Sequence, residues 1–158
     1  MEEELRGGKS TPNIVKIGNT VRRPSKESSI FVSEILKHLE NKGCPYTPRF
    51  LGFDEKNREM YEYIEGVVPT DVGGTTIEQL ETFMRMLKNI HDNTEELTGT
   101  GDVICHHDLS PCNVVFRGGI PISIIDWDSC FYGKRWEDLT YSVWSWINLG
   151  SHQRNTKI

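Results

Sequence analysis

The chain has 158 residues, of which 36% are hydrophobic and 26% are charged. This length and composition suit one folded domain of ordinary size and exclude wholesale disorder. No apolar run approaches the roughly 20 residues that a membrane-crossing helix needs, and we expect the acidic start, residues 1–4, not to be a secretory signal. The four cysteines form no Cys-x-x-Cys pair. We therefore predict free thiols and a cytoplasmic protein with no membrane partner.

The formal net charge of −5 argues against a nucleic-acid partner, and the charge is unevenly distributed along the chain. Residues 1–50 hold nine basic and six acidic side chains, whereas residues 51–104 hold four basic and twelve acidic ones. We therefore expect an anionic ligand to prefer the N-terminal third. The acidic middle section would suit a cationic acceptor molecule.

The first third has the pattern of short strands followed by a helix. Gly7 and Gly8 precede a polar loop, and residues 14–17 and 20–23 predict two strands joined by a turn. Apolar residues at helical spacing predict a helix over residues 27–42, which Gly43 ends in the left-handed conformation. Strands are then predicted at 49–53 and 59–64.

The remaining chain predicts one clear helix, a hairpin and a final helix. The glycine-rich residues 66–74 predict a boundary, and Thr75 with Glu78 predicts a capping box for a helix over residues 76–91. The last third predicts a strand at 103–105, a hairpin formed by 113–116 and 122–125, and a helix over 136–149.

Polar side chains concentrate around the predicted hairpin of the last third. Asn113 begins the hairpin and Asp126 follows it, so the hairpin brings the two side chains to the same end. Oxygen ligands of this kind are the ones that Mg²⁺ prefers, with phosphate oxygens and water completing its coordination. Asp108, on the preceding loop, is placed to accept a proton from a hydroxyl group.

This arrangement fits a phosphoryl-transfer site, in which a base orients the nucleophile while an asparagine and an aspartate hold the metal. Asn113 lies five residues after Asp108. The kinase catalytic loop has the same spacing between its catalytic aspartate and its metal-binding asparagine. The spacing therefore indicates a kinase-type site, with Asp108 as the base and with Asn113 and Asp126 as the Mg²⁺ ligands.

A two-part motif runs through this region: His106-x-Asp108-x-x-Pro111-x-Asn113, then Ile125-Asp126-Trp127-Asp128. In this motif the chain resembles the aminoglycoside phosphotransferase family, which has a protein-kinase-like fold and is related to choline kinases. The resemblance implies an α+β fold with two lobes. Residues 1–65 would form an N-lobe of antiparallel sheet with one helix. Residues 66–158 would form a mainly helical C-lobe, incomplete because family members continue with further helices.

The resemblance also implies roles for residues outside the motif. The backbone of residues 10–13 would face the phosphates, Arg23 would replace the phosphate-contacting lysine, and Glu34 on the helix would pair with it. Asp138 would brace the catalytic loop. Val21 would face adenine, and the backbone of residues 62–64 would contact the adenine edge. The full set of residues implied to bind the nucleotide is Ser10, Asn13, Val21, Arg23, Glu34, Glu62, Tyr63 and Ile64.

The function that the resemblance implies is transfer of the γ-phosphate of ATP or GTP to a hydroxyl of a small molecule. The acceptor would be aminoglycoside-, choline- or amino-sugar-like, and the oligomeric state is not predicted. Two alternatives remain open from the sequence. One is a catalytically impaired nucleotide-binding remnant of the family. The other is a metal-dependent hydrolase that uses His106, His107, Asp108 and Asp126, with Asp128 also available.

Overall fold

The computed structural model describes residues 2–5, 13–71 and 74–147. Its N-terminal part is an antiparallel five-stranded sheet in the spatial order β1-β2-β3-β5-β4. Thr20 to Pro24 of β3 face Glu62 to Arg58 of β5. The strands are β1 (Glu3–Glu4), β2 (Val15–Ile17), β3 (Thr20–Pro24), β4 (Phe50–Phe53) and β5 (Arg58–Glu62).

One helix, α1 (Ser29–Asn41), lies between β3 and β4 in the chain. Its buried stripe includes Val32, Leu36 and Leu39, which recur at the three- and four-residue spacing of an amphipathic helix. Gly43 follows it with a φ of 73°, the left-handed conformation that glycine adopts without a steric penalty. The predicted helix and its glycine stop are confirmed.

The longest helix, α2 (Ile77–Thr94), begins at a capping box one residue later than predicted. Thr76 Oγ1 accepts the N–H of Gln79 at 3.2 Å, and Gln79 Oε1 accepts the N–H of Thr76 at 2.9 Å. The prediction of Thr75 with Glu78 was therefore wrong. Glutamine serves as well as glutamate in this motif, since its side-chain carbonyl also accepts a hydrogen bond.

The C-terminal part joins two small antiparallel ladders to a helix. The hairpin of β7 and β8 was predicted, whereas the pairing of β6 with β9 was not, because β9 is a three-residue strand without a clear pattern. The elements are β6 (Val103–Cys105), β7 (Val114–Arg117), β8 (Ile120–Ile124), β9 (Phe131–Gly133) and α3 (Arg135–Trp146).

The main hydrophobic cluster joins α1, the sheet and α2 to the C-terminal part of the chain. Trp146 of α3 stacks on Phe83 of α2 with ring centroids 4.1 Å apart, and its indole N–H donates to the carbonyl of Leu109 at 3.0 Å. Trp144 lies on the exposed side of the same helix. The α+β class expected from the sequence is confirmed, while the domain boundary at residues 65–66 stays a prediction.

No helix in the described ranges is long and apolar enough to cross a membrane. The cytoplasmic location stays a prediction.

Candidate active site

Asp108 lies in the loop between β6 and β7, and other side chains hold both of its carboxylate oxygens. Asn113 Nδ2 donates to Oδ2 at 2.9 Å and also to the Asp108 carbonyl at 2.8 Å. Tyr141, on α3, donates its hydroxyl to Oδ1 at 2.8 Å. These bonds fix the carboxylate of the half-buried Asp108 in one orientation. A general base needs such an orientation toward the hydroxyl that it deprotonates.

The loop itself is fixed by Asp138, which is 1% exposed. Its two oxygens accept the backbone N–H groups of His106 and His107 at 2.9 and 2.8 Å, and His91 Nε2 lies 3.0 Å from Oδ2. Burial alone would raise the pKa of Asp138, but these hydrogen bonds outweigh burial and lower it. The predicted bracing role of Asp138 is confirmed by these contacts.

The ring of His106 connects the catalytic loop to the segment that carries Asp126. The Asp108 N–H donates to Nδ1 at 3.3 Å, so Nε2 carries the proton and donates to the carbonyl of Ile125 at 3.0 Å. Burial lowers the pKa of His106, which keeps its ring neutral at physiological pH. His106 is therefore a structural connector and offers no free nitrogen to a metal.

The hairpin brings the backbone of Asn113 next to the segment that carries Asp126. The N–H of Ile125, next to Asp126, donates to the carbonyl of Asn113 at 2.9 Å. Asp126 has a φ of 63°, an uncommon conformation for a residue other than glycine and one that recurs at functional sites. Its side chain is 41% exposed, so a solvent ion can reach the carboxylate.

The charges around Asp126 suit a divalent cation. Partial burial and the neighbouring carboxylate of Asp128 raise the pKa of Asp126, although Arg23 opposes the effect. A cation would relieve this crowding of carboxylates. Asn113 uses its amide nitrogen on Asp108, which leaves its amide oxygen to join Asp126 as a hard ligand. The donor set therefore fits Mg²⁺.

Arg23 reaches from β3 to the same place and contacts four side chains. Its Nε donates to Glu59 at 2.6 Å, Nη1 to Asp126 at 3.3 Å, and Nη2 to the Tyr61 hydroxyl at 3.2 Å and to Asp128. Burial opposes its charge, but Tyr61, Asp128 and Glu59 outweigh burial and hold the pKa of Arg23 above the ordinary value. Arg23 thus joins the sheet to the predicted metal site.

Asp128 is held between two cations. It contacts Arg23 with one oxygen and Lys26 with the other. Burial disfavours its charge, but the hydrogen bond from Lys26 and the charge of Arg23 outweigh burial and lower the pKa of Asp128. Both of its oxygens are therefore engaged by cations, whereas Asp126 contacts Arg23 through Oδ1 and is 41% exposed.

The predicted pairing of Arg23 with Glu34 was wrong. Glu34 lies on the exposed stripe of α1 with Ile30 and Lys37, because the 3.6-residue period turns these positions away from the buried face. The carboxylate that contacts Arg23 Nε belongs to Glu59 of β5.

The three residues predicted to face a nucleotide base, Glu62, Tyr63 and Ile64, line a cavity of about 650 Å³. Lys16 of β2 and Ser123 of β8 also line it, so the cavity lies between the sheet and the β7–β8 hairpin. Their predicted contact with adenine stays a prediction.

Tyr63 is engaged through its backbone and its ring. Its N–H donates to the carbonyl of Asn19 at 2.9 Å, and the Lys16 ammonium lies 3.8 Å from the ring centroid. The N–H of Ile64 has no hydrogen-bond acceptor among residues 2–5, 13–71 and 74–147. Ile64 is therefore better placed than Tyr63 to donate to a nucleotide base.

The remaining predicted nucleotide contacts lie at the start of the sheet. Val21 is on the same face of β3 as Arg23 and packs against the core. Asn13 is exposed with a φ of 64°. Ser10 and the glycines at 7 and 8 lie outside the described residues.

The four-residue hydrolase cluster is not assembled as a metal site. Both ring nitrogens of His106 are already hydrogen-bonded. In His107, Nδ1 lies 3.2 Å from the Ser129 carbonyl and Nε2 lies 3.2 Å from Glu137. Within the described part of the chain, one group of three potential ligands gathers closely, and its members are His91, Cys105 and Asp138.

This buried group of three is part of the packing around the catalytic loop. Asp138 already accepts three hydrogen bonds, and Cys105 donates its thiol to the Lys134 carbonyl at 3.3 Å. Burial raises the pKa of Cys105 to about 12, so the thiol is protonated at neutral pH and is a poor metal ligand.

Sequence reasoning missed Glu59, Tyr141 and His91. A signal existed for Tyr141, since it follows Asp138 by three residues and so faces the same loop from α3. Glu59 and His91 reach the site only through pairings between distant parts of the chain.

Comparisons with a family model, with known proteins and with solved structures each found a similarity. The sequence model of the phosphotransferase enzyme family matches residues 100–157. The trifolitoxin immunity protein of Rhizobium leguminosarum bv. trifolii is 31% identical over 160 residues, which cover 90% of this chain. The chain spans 59% of that relative's length.

Solved structures show the same fold at low identity. The streptomycin–ATP–APH(2")-IIa ternary complex has a TM-score of 0.64 at 14% identity, covering 87% of this chain and 69% of that one. Choline kinase LicA from Streptococcus pneumoniae has a TM-score of 0.60 at 16% identity, covering 93% and 69%. The chain thus shares its fold with these phosphotransferases, and its residues 100–157 match the sequence model of the phosphotransferase enzyme family.

Proposed function

We propose that the chain transfers the γ-phosphoryl group of ATP or GTP to a hydroxyl of a small molecule. The observation that carries this proposal is that Asn113 and Tyr141 orient the carboxylate of Asp108. The backbone of the same Asn113 pairs with the segment that carries Asp126. A fixed base next to an oxygen-rich cation site is the arrangement that phosphoryl transfer requires.

In this proposal Asp108 orients the acceptor hydroxyl and takes its proton as the oxygen attacks the γ-phosphorus. The bond from that phosphorus to the bridging oxygen breaks, and the nucleoside diphosphate leaves. Asn113 Oδ1 and the Asp126 carboxylate would hold Mg²⁺, which would supply positive charge next to the phosphate oxygens. Arg23, aimed at Asp126, stands beside the same phosphates. The chain's own contribution is orientation and charge, with the catalytic loop held by Asp138.

The nucleotide base is proposed to enter the cavity at Glu62 and Ile64. The Ile64 N–H would donate to the base, the Glu62 carbonyl would accept from it, and Val21 would provide apolar contact from the sheet. The phosphates then run toward Arg23 and Asp126, with the backbone of residues 10–13 facing them. This path connects the base site to the metal site.

The acceptor is proposed to be a small molecule that carries a hydroxyl group. One solved relative contains streptomycin, another is named a choline kinase, and the 31% identical relative is named for immunity to trifolitoxin. Streptomycin, choline and trifolitoxin are therefore the first panel of acceptors to test. The excess of acidic residues between 51 and 104 favours cationic members of the panel.

The test is ³¹P NMR of ATP or GTP incubated with the chain, Mg²⁺ and each acceptor. The proposal predicts loss of the γ-phosphate signal and growth of a phosphomonoester signal that requires both Mg²⁺ and one acceptor. Binding of nucleotide with no transfer to any acceptor would instead favour the catalytically impaired remnant.

Replacing Asp126 with alanine is expected to weaken Mg²⁺-nucleotide binding by at least about tenfold, because it removes the one charged ligand of the proposed cation site. Binding of nucleotide without Mg²⁺ should change little. Isothermal titration with and without Mg²⁺ measures both quantities.

The matched control for that change is Asp71→Ala, at an exposed aspartate far along the chain from the site. Equal Mg²⁺-dependent affinities for the Asp126 and Asp71 variants would show that Asp126 does not bind the metal.

Replacing Tyr141 with phenylalanine is expected to lower kcat roughly three- to tenfold with little change in the KM for nucleotide. The change removes the 2.8 Å hydrogen bond that orients Asp108, and a typical net contribution of about 1 kcal/mol for one hydrogen bond corresponds to about fivefold in rate. Steady-state kinetics of the purified variant give both constants.

The control is Tyr132→Phe, which removes the hydroxyl of an exposed tyrosine. A Tyr141 variant with the kcat of the Tyr132 variant would mean that the hydroxyl does not orient the base.

A further inference from the structure

Arg23 and Glu59 are direct neighbours across β3 and β5. Residues opposite each other in an antiparallel pair point to the same face of the sheet, so the two side chains meet without help from another element. Arg23 is 7% exposed and Glu59 is 0% exposed, with 2.6 Å between Nε and Oε2. The ion pair is therefore built into the sheet.

We propose that Glu59 is the positioning residue for Arg23, and that α1 supplies no charged partner to the nucleotide site. The inference rests on the function proposed above. It assigns to β5 the role that the family resemblance placed on the helix. Glu34, the helix candidate, faces solvent.

The choice of arginine follows from this placement. Glu59 engages Nε, the nitrogen nearest the strand, and leaves the two terminal nitrogens to reach Tyr61, Asp126 and Asp128. A lysine has a single nitrogen and no planar fork, so it could not bind Glu59 beside its own strand and still reach both aspartates.

Glu59 also limits how strongly Arg23 competes with a cation for Asp126. Its second oxygen, Oε1, is buried and has no hydrogen-bond partner among the described residues. The whole charge of Glu59 therefore acts on Arg23 and its immediate neighbours. Without that charge, Arg23 turns fully to the two aspartates, and Mg²⁺ must displace a stronger ion pair.

The test compares Glu59→Gln with Glu34→Gln as Mg²⁺ is titrated at fixed ATP. The Glu59 change is expected to raise the Mg²⁺ concentration for half-saturation at least tenfold, and excess Mg²⁺ should restore binding. The Glu34 change should stay within twofold of the wild type. A purely structural loss at Glu59 would lower binding at every Mg²⁺ concentration.

A second comparison uses Arg23→Met as the background, which removes the charged partner of Glu59. Adding Glu59→Gln to it should change the Mg²⁺ requirement by less than twofold. Where the glutamine variant does not fold, Glu59→Asp replaces it, because aspartate keeps the charge but its shorter side chain moves the carboxylate away from Arg23. The Mg²⁺ concentration for half-saturation should then rise in the same direction by a smaller factor.

Side-chain NMR of the unliganded chain separates this inference from the proposed function. The Arg23 Nε–H signal should move in the Glu59 variant and stay in place in the Glu34 variant. If the wild type binds no Mg²⁺-nucleotide, the proposed function fails, and the NMR signal still decides which glutamate holds Arg23. An Arg23 signal that follows Glu34, or a Mg²⁺ requirement unchanged by Glu59→Gln, overturns the inference.

Discussion

Replacing Asp108 with asparagine is expected to lower kcat about 10²- to 10⁴-fold, the usual contribution of a positioned general base. Asparagine keeps the size of the side chain and an oxygen that can accept from Tyr141, but it cannot take a proton from the acceptor hydroxyl. The affinity for Mg²⁺-nucleotide should stay within about threefold, because Asn113 and Asp126 are unchanged. Transfer kinetics and isothermal titration measure the two effects separately.

The Asp71→Asn variant is the control for a lost surface carboxylate. A transfer rate of Asp108→Asn within threefold of this control would remove Asp108 from the role of base. Loss of nucleotide binding together with transfer would instead mean that Asp108 maintains the site's shape.

Replacing Asp138 with asparagine is expected to reduce the free energy of unfolding by about 3 kcal/mol, with a fall in Tm of roughly 6–12 °C. Asp138 is buried and accepts the N–H groups of His106 and His107 with separate oxygens. An asparagine has one oxygen, so its NH₂ group would face a backbone donor and leave that donor unpaired. Thermal and urea unfolding measure the change.

The depressed pKa of Asp138 gives this prediction a pH dependence. Its stabilisation is fully present above about pH 3.9, the ordinary aspartate value, and is lost as the pH falls through the lower pKa of the folded state. Asp92→Asn, at an exposed aspartate on α2, is the control and should cost less than about 1 kcal/mol. An Asp138 variant as stable as this control would show that the loop does not depend on the carboxylate.

The contacts of the candidate site that could be predicted from the sequence are those formed by local chain geometry. Asp108 and Asn113 lie five residues apart in one loop, and the β7–β8 hairpin returns the chain to Asp126. Spacing and turn patterns describe such short-range structure well. The prediction that Asp138 holds the loop came from the family resemblance. Asp138 accepts two backbone hydrogen bonds from that loop, as this prediction requires.

The partner of Arg23 could not be found in the same way. It depends on β5, rather than β4, lying next to β3, and on a register that places Glu59 opposite Arg23. Neither the strand order nor the register is encoded in the local pattern of apolar and polar residues. The position of Glu34, in contrast, follows from a local pattern. Glu34 lies on the polar stripe of α1, which turns its side chain away from Arg23.

Boundaries were less well predicted than elements. The capping box of α2 begins at Thr76 rather than Thr75, because Gln79 supplies the reciprocal hydrogen bond. The β9 strand was missed because three residues carry no usable alternation, and it forms by pairing with β6 about thirty residues earlier. Tertiary pairing, rather than local preference, decides such short strands.

The most direct test of the proposed site is a thermal-shift titration of the chain with ATP and with GTP, each with and without Mg²⁺. A ligand at a hundredfold excess over its Kd adds about 2.7 kcal/mol to the free energy of unfolding, which raises Tm by roughly 5–10 °C in a chain of this size. We predict such a shift with Mg²⁺ present, and its loss in Asp126→Ala. A chain that melts cooperatively at the same temperature with and without Mg²⁺-nucleotide would contradict the proposal of a phosphotransferase site.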